Sequence, residues 1–127
     1  MFKAPVLSVI LALFPASSFA EDYPCGNAEE TRAVDYVLFS LSLDDRNASA
    51  AQYFLHHGFG YSDMAIDGKI GPKTKSALCS TLVDYMAITG AKVYAPSDTQ
   101  KFMEWMSDWT AQKQQALQDG TSFEAPD

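Results

Sequence analysis

Four stretches of this chain place apolar residues at helical spacing, and no stretch alternates as a strand would. Between Ala28 and Leu43 the apolar positions Ala33, Val34, Val37, Leu38 and Leu41 recur three and four apart, which gives one apolar face. Asn27 stands at the N-cap position, and Glu29 and Glu30 fall in the first turn, where the helix dipole favours negative charge. Asp44, Asp45 and Arg46 interrupt the pattern. A second helix is expected from Ser49 to about His57, with Ala50, Ala51, Phe54 and Leu55 inward. The Gly-Phe-Gly at 58–60 ends it, because glycine accepts the left-handed conformation that follows many helices. A third helix begins at Pro72, whose missing N–H costs nothing in a first turn, and continues through Ala77, Leu78, Leu82, Tyr85 and Met86 to Gly90. The fourth starts at Ser97, with Gln100 three residues on as a capping box, and carries Phe102, Trp105, Met106 and Trp109 as one stripe. The pattern predicts a small all-α domain over 21–119, with a loose tail at 120–127.

The first twenty residues stand apart from that pattern. MFKAPVLSVILALFPASSFA has a positive start at Lys3, a short apolar run from Val6 to Phe14, and small residues at Ser18 and Ala20 ahead of Glu21. This is the composition of a secretory signal peptide, and its apolar run is about half the roughly 20 residues that span a bilayer. The expected product is exported, to a periplasm or the outside, with no membrane association after cleavage.

Export changes the reading of the two cysteines, Cys25 and Cys79. In an oxidising compartment one disulfide is the default, and no CxxC spacing points to a metal or redox pair. Charge then excludes a class of partner. The chain has 9 Lys and Arg against 16 Asp and Glu, and removing Lys3 makes the balance more acidic. General nucleic-acid binding needs the opposite sign, because phosphate neutralisation carries most of its affinity.

The stretch DGKIGPKT, Asp67 to Thr74, is the most informative local motif. By itself it reads as a turn, a buried isoleucine, a second turn and a helix start, with Ile66 and Ile70 as plugs into the core. Asp67 is placed to accept backbone N–H bonds, and Gly68 to supply a positive φ. A phosphate loop needs GxxxxGK[ST] after a buried strand, and neither the spacing nor the strand is here. The stretch resembles the signature of the peptidoglycan-binding domain family, a three-helix module of bacterial cell-wall proteins. Asp67, Gly68, Ile70, Gly71, Pro72 and Thr74 match its Asp-Gly-x-Phe/Ile-Gly-Pro-x-Thr core, and Ala77 and Leu78 match the apolar pair that follows. Gln52, Leu55, Gly60 and Tyr61 give a looser match upstream. Thr81 and Leu82 depart from the family, which has a Phe-Gln or similar pair there. The resemblance covers roughly Ala48 to Leu82 and implies a peptidoglycan-binding-like unit at about 28–90. The fourth helix is then an addition to that unit.

Candidate chemistry fits binding better than catalysis. His56 and His57 are adjacent, hence about 100° apart on a helix, and do not converge on a metal. No serine or cysteine has a nucleophile's setting. No catalytic residue, metal or cofactor is expected. Lys69, Lys73 and Lys75 cluster at the start of the third helix, where free N–H groups favour anions such as stem-peptide carboxylates. Tyr53 and Tyr61 offer flat faces beside the loop. The resemblance implies a non-catalytic module attached to peptidoglycan through this surface. The alternative is a module that keeps the fold and docks another envelope protein through the Trp105/Trp109 stripe.

Overall fold

The computed structural model describes Cys25–Gly120. The expected signal peptide and the tail beyond Gly120 lie outside the described residues. Within them the chain is all-helical: α1 (Ala28–Ser42), α2 (Asp45–Gly58), α3 (Pro72–Thr89), a short 3-10 turn (Pro96–Asp98) and α4 (Thr99–Asp119). One disulfide joins Cys25 to Cys79.

Each helix start has a chemical cause. Asn27 caps α1 reciprocally: its side chain accepts from the Glu30 N–H at 2.8 Å, and the Glu30 carboxylate accepts from the Asn27 N–H at 2.9 Å. α2 begins four residues before the expected Ser49, because Asp44 is itself a cap whose carboxylate accepts from the Arg46 N–H at 2.9 Å. The charged triplet that interrupts the apolar pattern is therefore the first turn of a helix. α3 opens on Pro72 and closes at Gly90, φ 73°.

α4 departs from expectation at its start. Ser97 does not cap it. The Asp98 carboxylate accepts instead from the N–H groups of Tyr94 and Ala95, at 2.8 and 3.2 Å, which folds Pro96–Asp98 into the 3-10 turn. The α-helix proper begins at Thr99, and Gln100 donates forward to Glu104 at 3.3 Å. The Asp98 carboxylate thus organises the turn before α4, and α4 itself starts without a side-chain cap.

The four apolar faces meet in one core. Val34, Val37 and Leu41 from α1, Leu55 from α2, Leu78 and Leu82 from α3 are all at most 1 % exposed. The stripe of α4 is turned into this core. Phe102 and Met106 are fully buried and Trp105 is 9 % exposed, with Tyr85 of α3 5.2 Å from the Trp105 ring. Trp109 is partly buried: its Nε1 donates to the Gly58 carbonyl at 2.9 Å, and Phe59 stacks on it with ring centres 5.0 Å apart. Of the aromatic face expected to be either core or docking surface, Phe102, Trp105 and Met106 are core, and Trp109 stays partly exposed beside Gly58 and Phe59.

Gly58 explains how α2 and α4 come so close. It is the last residue of α2, and of the two glycines at 58 and 60 the one with a positive φ is Gly60, at 84°. A Cβ on Gly58 would run into the Thr110 Oγ1 and stand 3.2 Å from the Thr110 Cα. Gly58→Ala is therefore expected to lower stability by about 1–3 kcal/mol through overpacking. Adding Thr110→Ala, which removes the Oγ1 but keeps the Cβ at 3.0 Å, should return part of that loss. A urea-denaturation double-mutant cycle checks this, and additive losses would show that the two residues do not compete for the same space.

No helix among the described residues is long and apolar enough to cross a membrane.

Candidate functional site

The connection from α2 to α3 runs from Phe59 to Gly71 and contains most of DGKIGPKT. Its shape is set by Gln52, which lies on the inward face of α2 with Ala48, Ala51 and Leu55 and is 1 % exposed. The Gln52 Oε1 accepts from the N–H groups of Asp67 and Gly68, at 3.0 and 2.8 Å. The Nε2 donates to the Lys69 carbonyl at 2.8 Å, and lies 3.2 Å from the Thr74 Oγ1 and 3.3 Å from the Asp67 carboxylate. Two converging N–H groups admit only the oxygen of the amide, so the orientation of this side chain is chemically determined. One buried glutamine thus replaces the strand partner that an irregular segment lacks.

The rest of the turn is built around that clamp. Asp67 accepts from the Lys69 N–H at 2.9 Å. This bond, with the Gln52 amide beside it, holds the Asp67 carboxyl below the usual carboxylate range. Gly68 takes φ 77° with its backbone pressed onto α2, so that a Cβ there would lie 3.1 Å from the Asp45 carbonyl. A side chain is excluded on both counts. Thr74, 4 % exposed, packs its hydroxyl 3.4 Å from the Met64 sulfur. Met64 is the buried plug of the loop. Ile66, expected in that role, is 44 % exposed, and Ile70 is partly buried against the core. The Gln52 bonds turn the Asp67 and Gly68 N–H groups toward α2, and the Ile66 side chain stays at the surface.

Over the clamp lies a pocket of about 260 Å³, lined on its charged side by Asp63, Asp67, Lys69 and Lys73. Lys73 pairs with Asp63 at 3.0 Å across the mouth, both largely exposed, and the ammonium holds the Asp63 carboxyl low. Exposed pairs of this kind contribute at most about 1 kcal/mol, and they open readily for a ligand. The three lysines do not form one patch. Lys69 and Lys73 line the pocket, whereas Lys75 does not: two residues from Lys73 on α3, it projects about 200° around the helix. The lining is mixed in sign, with Asp63 and Asp67 alongside Lys69 and Lys73.

The tyrosines also lie elsewhere. Tyr53 is exposed on the outer face of α2 with its ring 4.4 Å from His57. Tyr61 is half-buried against the core, and its carbonyl accepts from the Met64 N–H at 2.9 Å. His56 bridges the two regions. Its Nδ1 is 3.2 Å from the Met64 carbonyl, which only accepts, so Nδ1 carries the hydrogen of that bond. Gln52 is the one organising residue that sequence reasoning undervalued. Its signal was a polar amide at an apolar register position of α2.

Among the described residues no group of three or more His, Cys, Asp or Glu side chains is placed to hold a metal ion. Compared with known proteins, the chain matches no family model, no curated protein and no solved structure.

Proposed function

We propose that this chain is an exported, non-catalytic module that binds peptidoglycan non-covalently through the pocket above the Gln52 clamp. The supporting observation is that DGKIGPKT folds as a hydrogen-bonded turn, held by Gln52 and Asp67, that places Lys69 and Lys73 beside Asp63 and Asp67. Peptidoglycan stem peptides carry free carboxylates, and diaminopimelate stems carry amines as well. A pocket with both signs pairs such groups better than a wholly basic one would. The disulfide fits an oxidising compartment, and the net charge of −7 discourages indiscriminate binding to polyanions.

Co-sedimentation of the purified protein with peptidoglycan sacculi across a salt series tests this reading. Saturable retention that weakens with salt is expected, because exposed charges are screened within about 10 Å at 0.1 M ionic strength. Lys69→Glu combined with Lys73→Glu should reduce retention several-fold at low salt while leaving the melting temperature within a few degrees of the parent. Equal retention of the double variant, or none by the parent at low salt, would sink the proposal.

A further inference from the structure

A second cleft, of about 500 Å³, lies away from DGKIGPKT, between the end of α1, the start of α2 and the 3-10 turn that leads into α4. Its composition is unusual for this protein. One-fifth of the chain is charged, yet no Asp, Glu, Lys or Arg lines this cleft. Pro96 and Met103 supply apolar wall over the buried Leu41, and two serines with Asn47, Thr99 and Gln100 supply hydroxyls and carboxamides.

Thr99 makes this more than a groove between helices. It is 3 % exposed, it lines the cleft, and its Oγ1 is buried with no hydrogen-bond partner. An unmatched buried hydroxyl costs free energy, so a group that meets it from the cleft is favoured over solvent at the rim. The start of α4 is not an anion site. The Thr99 N–H already donates to the Pro96 carbonyl, and the Asp98 carboxylate sits beside it on the Tyr94 and Ala95 N–H groups. Asp98 is not part of the lining and its carboxylate is taken up by two backbone N–H groups, so a charged ligand would find no counter-charge in the cleft.

The geometry points to a binding site for a neutral carbohydrate. A pyranose has an apolar C–H face that suits Pro96 and Met103, and a rim of hydroxyls that suits neutral donors and acceptors. The volume falls in the range of small-ligand sites, about 300–1,000 Å³. Turned toward the cleft by rotation about χ1, the Thr99 Oγ1 would pair with one sugar hydroxyl. This site does not depend on the lysine-lined pocket, and either can fail without the other.

The test is a titration of the isotope-labelled protein, followed by backbone amide shifts, with two uncharged probes: N,N′-diacetylchitobiose and cellobiose. Saturable shifts at the amides of Asn47, Ser97, Thr99 and Gln100 are expected, with a dissociation constant on the order of millimolar. A response to the acetylated probe alone assigns the site to amino-sugar glycan, and a response to both assigns it to sugar hydroxyls in general; each supports the proposal. Thr99→Val keeps the shape and removes the unpaired hydroxyl, so the melting temperature should hold or rise while affinity falls about tenfold. Asn47→Ala, at an exposed position, should weaken binding independently. Absence of saturable shifts with both probes, or an unchanged titration in Thr99→Val and Asn47→Ala, would overturn it. Lys69→Glu with Lys73→Glu serves as the control and should leave this titration unaltered.

Discussion

Gln52→Leu is expected to lower the unfolding free energy by about 3 kcal/mol and to release the DGKIGPKT turn before the rest of the domain. The substitution conserves volume and adds apolar surface at a position that is 1 % exposed, so packing alone would predict little change or a gain. The hydrogen bonds decide otherwise. The Asp67 and Gly68 N–H groups and the Lys69 carbonyl lose their partner together, and each buried polar group left unmatched costs about 1–3 kcal/mol. Partial re-solvation on the exposed side of Asp67 keeps the total below the simple sum. Urea denaturation gives the global number, and native-state hydrogen exchange at the Asp67 and Gly68 amides gives the local one. A loss under about 1 kcal/mol with protection retained would show that Gln52 does not hold the loop.

Gln52→Glu sharpens the same argument through pH. The introduced carboxylate could accept the two N–H bonds but could not donate to the Lys69 carbonyl, and it would lie beside the Asp67 carboxylate, 3.3 Å from the present amide nitrogen. Burial and the neighbouring charge both raise its folded-state pKa above the unfolded value of about 4.3. The folded state then binds the extra proton, so relative to the parent this variant loses stability as pH rises from about 4.3 through the raised value. Protonation restores a donor, and the difference from the parent should narrow near pH 4.

The helices were legible in the sequence because their causes are local. Apolar spacing located α1 to α4, and Asn27, Pro72 and Gly90 marked ends that the structure keeps. What local reasoning missed was competition between neighbours. Asp44 extends α2 toward the chain start, and Asp98 displaces Ser97 as the organiser of the turn before α4. The site shows the same division. Asp67 and Gly68 have their roles written in an Asp-Gly pair, whereas the clamp joins residues 15 to 22 positions apart. Likewise, Lys75 belongs with Lys73 in sequence and not in space, because helical geometry separates positions two apart. Gly58 looked like a helix terminator, and its larger role, admitting Thr110 of α4, depends on a residue more than 50 positions away.

Removing the disulfide by Cys25→Ala with Cys79→Ala is expected to have the largest effect on stability. The bond closes a separation of 54 residues, for which the chain-entropy model gives about 4 kcal/mol. Domains of this size have total stabilities of about 5–15 kcal/mol, so the melting temperature should fall by about 20 °C. The bridged loop contains α1, α2, the connection to α3 and the first part of α3, which is nearly everything that shapes the lysine-lined pocket. Cys25 itself is 1 % exposed, and Thr31 fixes its backbone from both sides, accepting from its N–H at 2.9 Å and donating to its carbonyl at 3.1 Å. Those bonds survive the double substitution, so the folded variant should keep the start of α1 in place. The loss then belongs chiefly to the unfolded chain, which the bond no longer constrains, and the urea m-value should rise as that chain expands. Below its melting temperature the variant should still carry an intact Gln52 clamp, with protected amides at Asp67 and Gly68, and should retain the parent's affinity for sacculi. Gln52→Leu has the opposite profile: a smaller global loss joined to a direct loss of binding. A double-alanine variant less than about 1 kcal/mol weaker than the parent would refute the entropic role assigned to the bond. One with normal stability and no retention on sacculi would mean that the disulfide shapes the pocket directly.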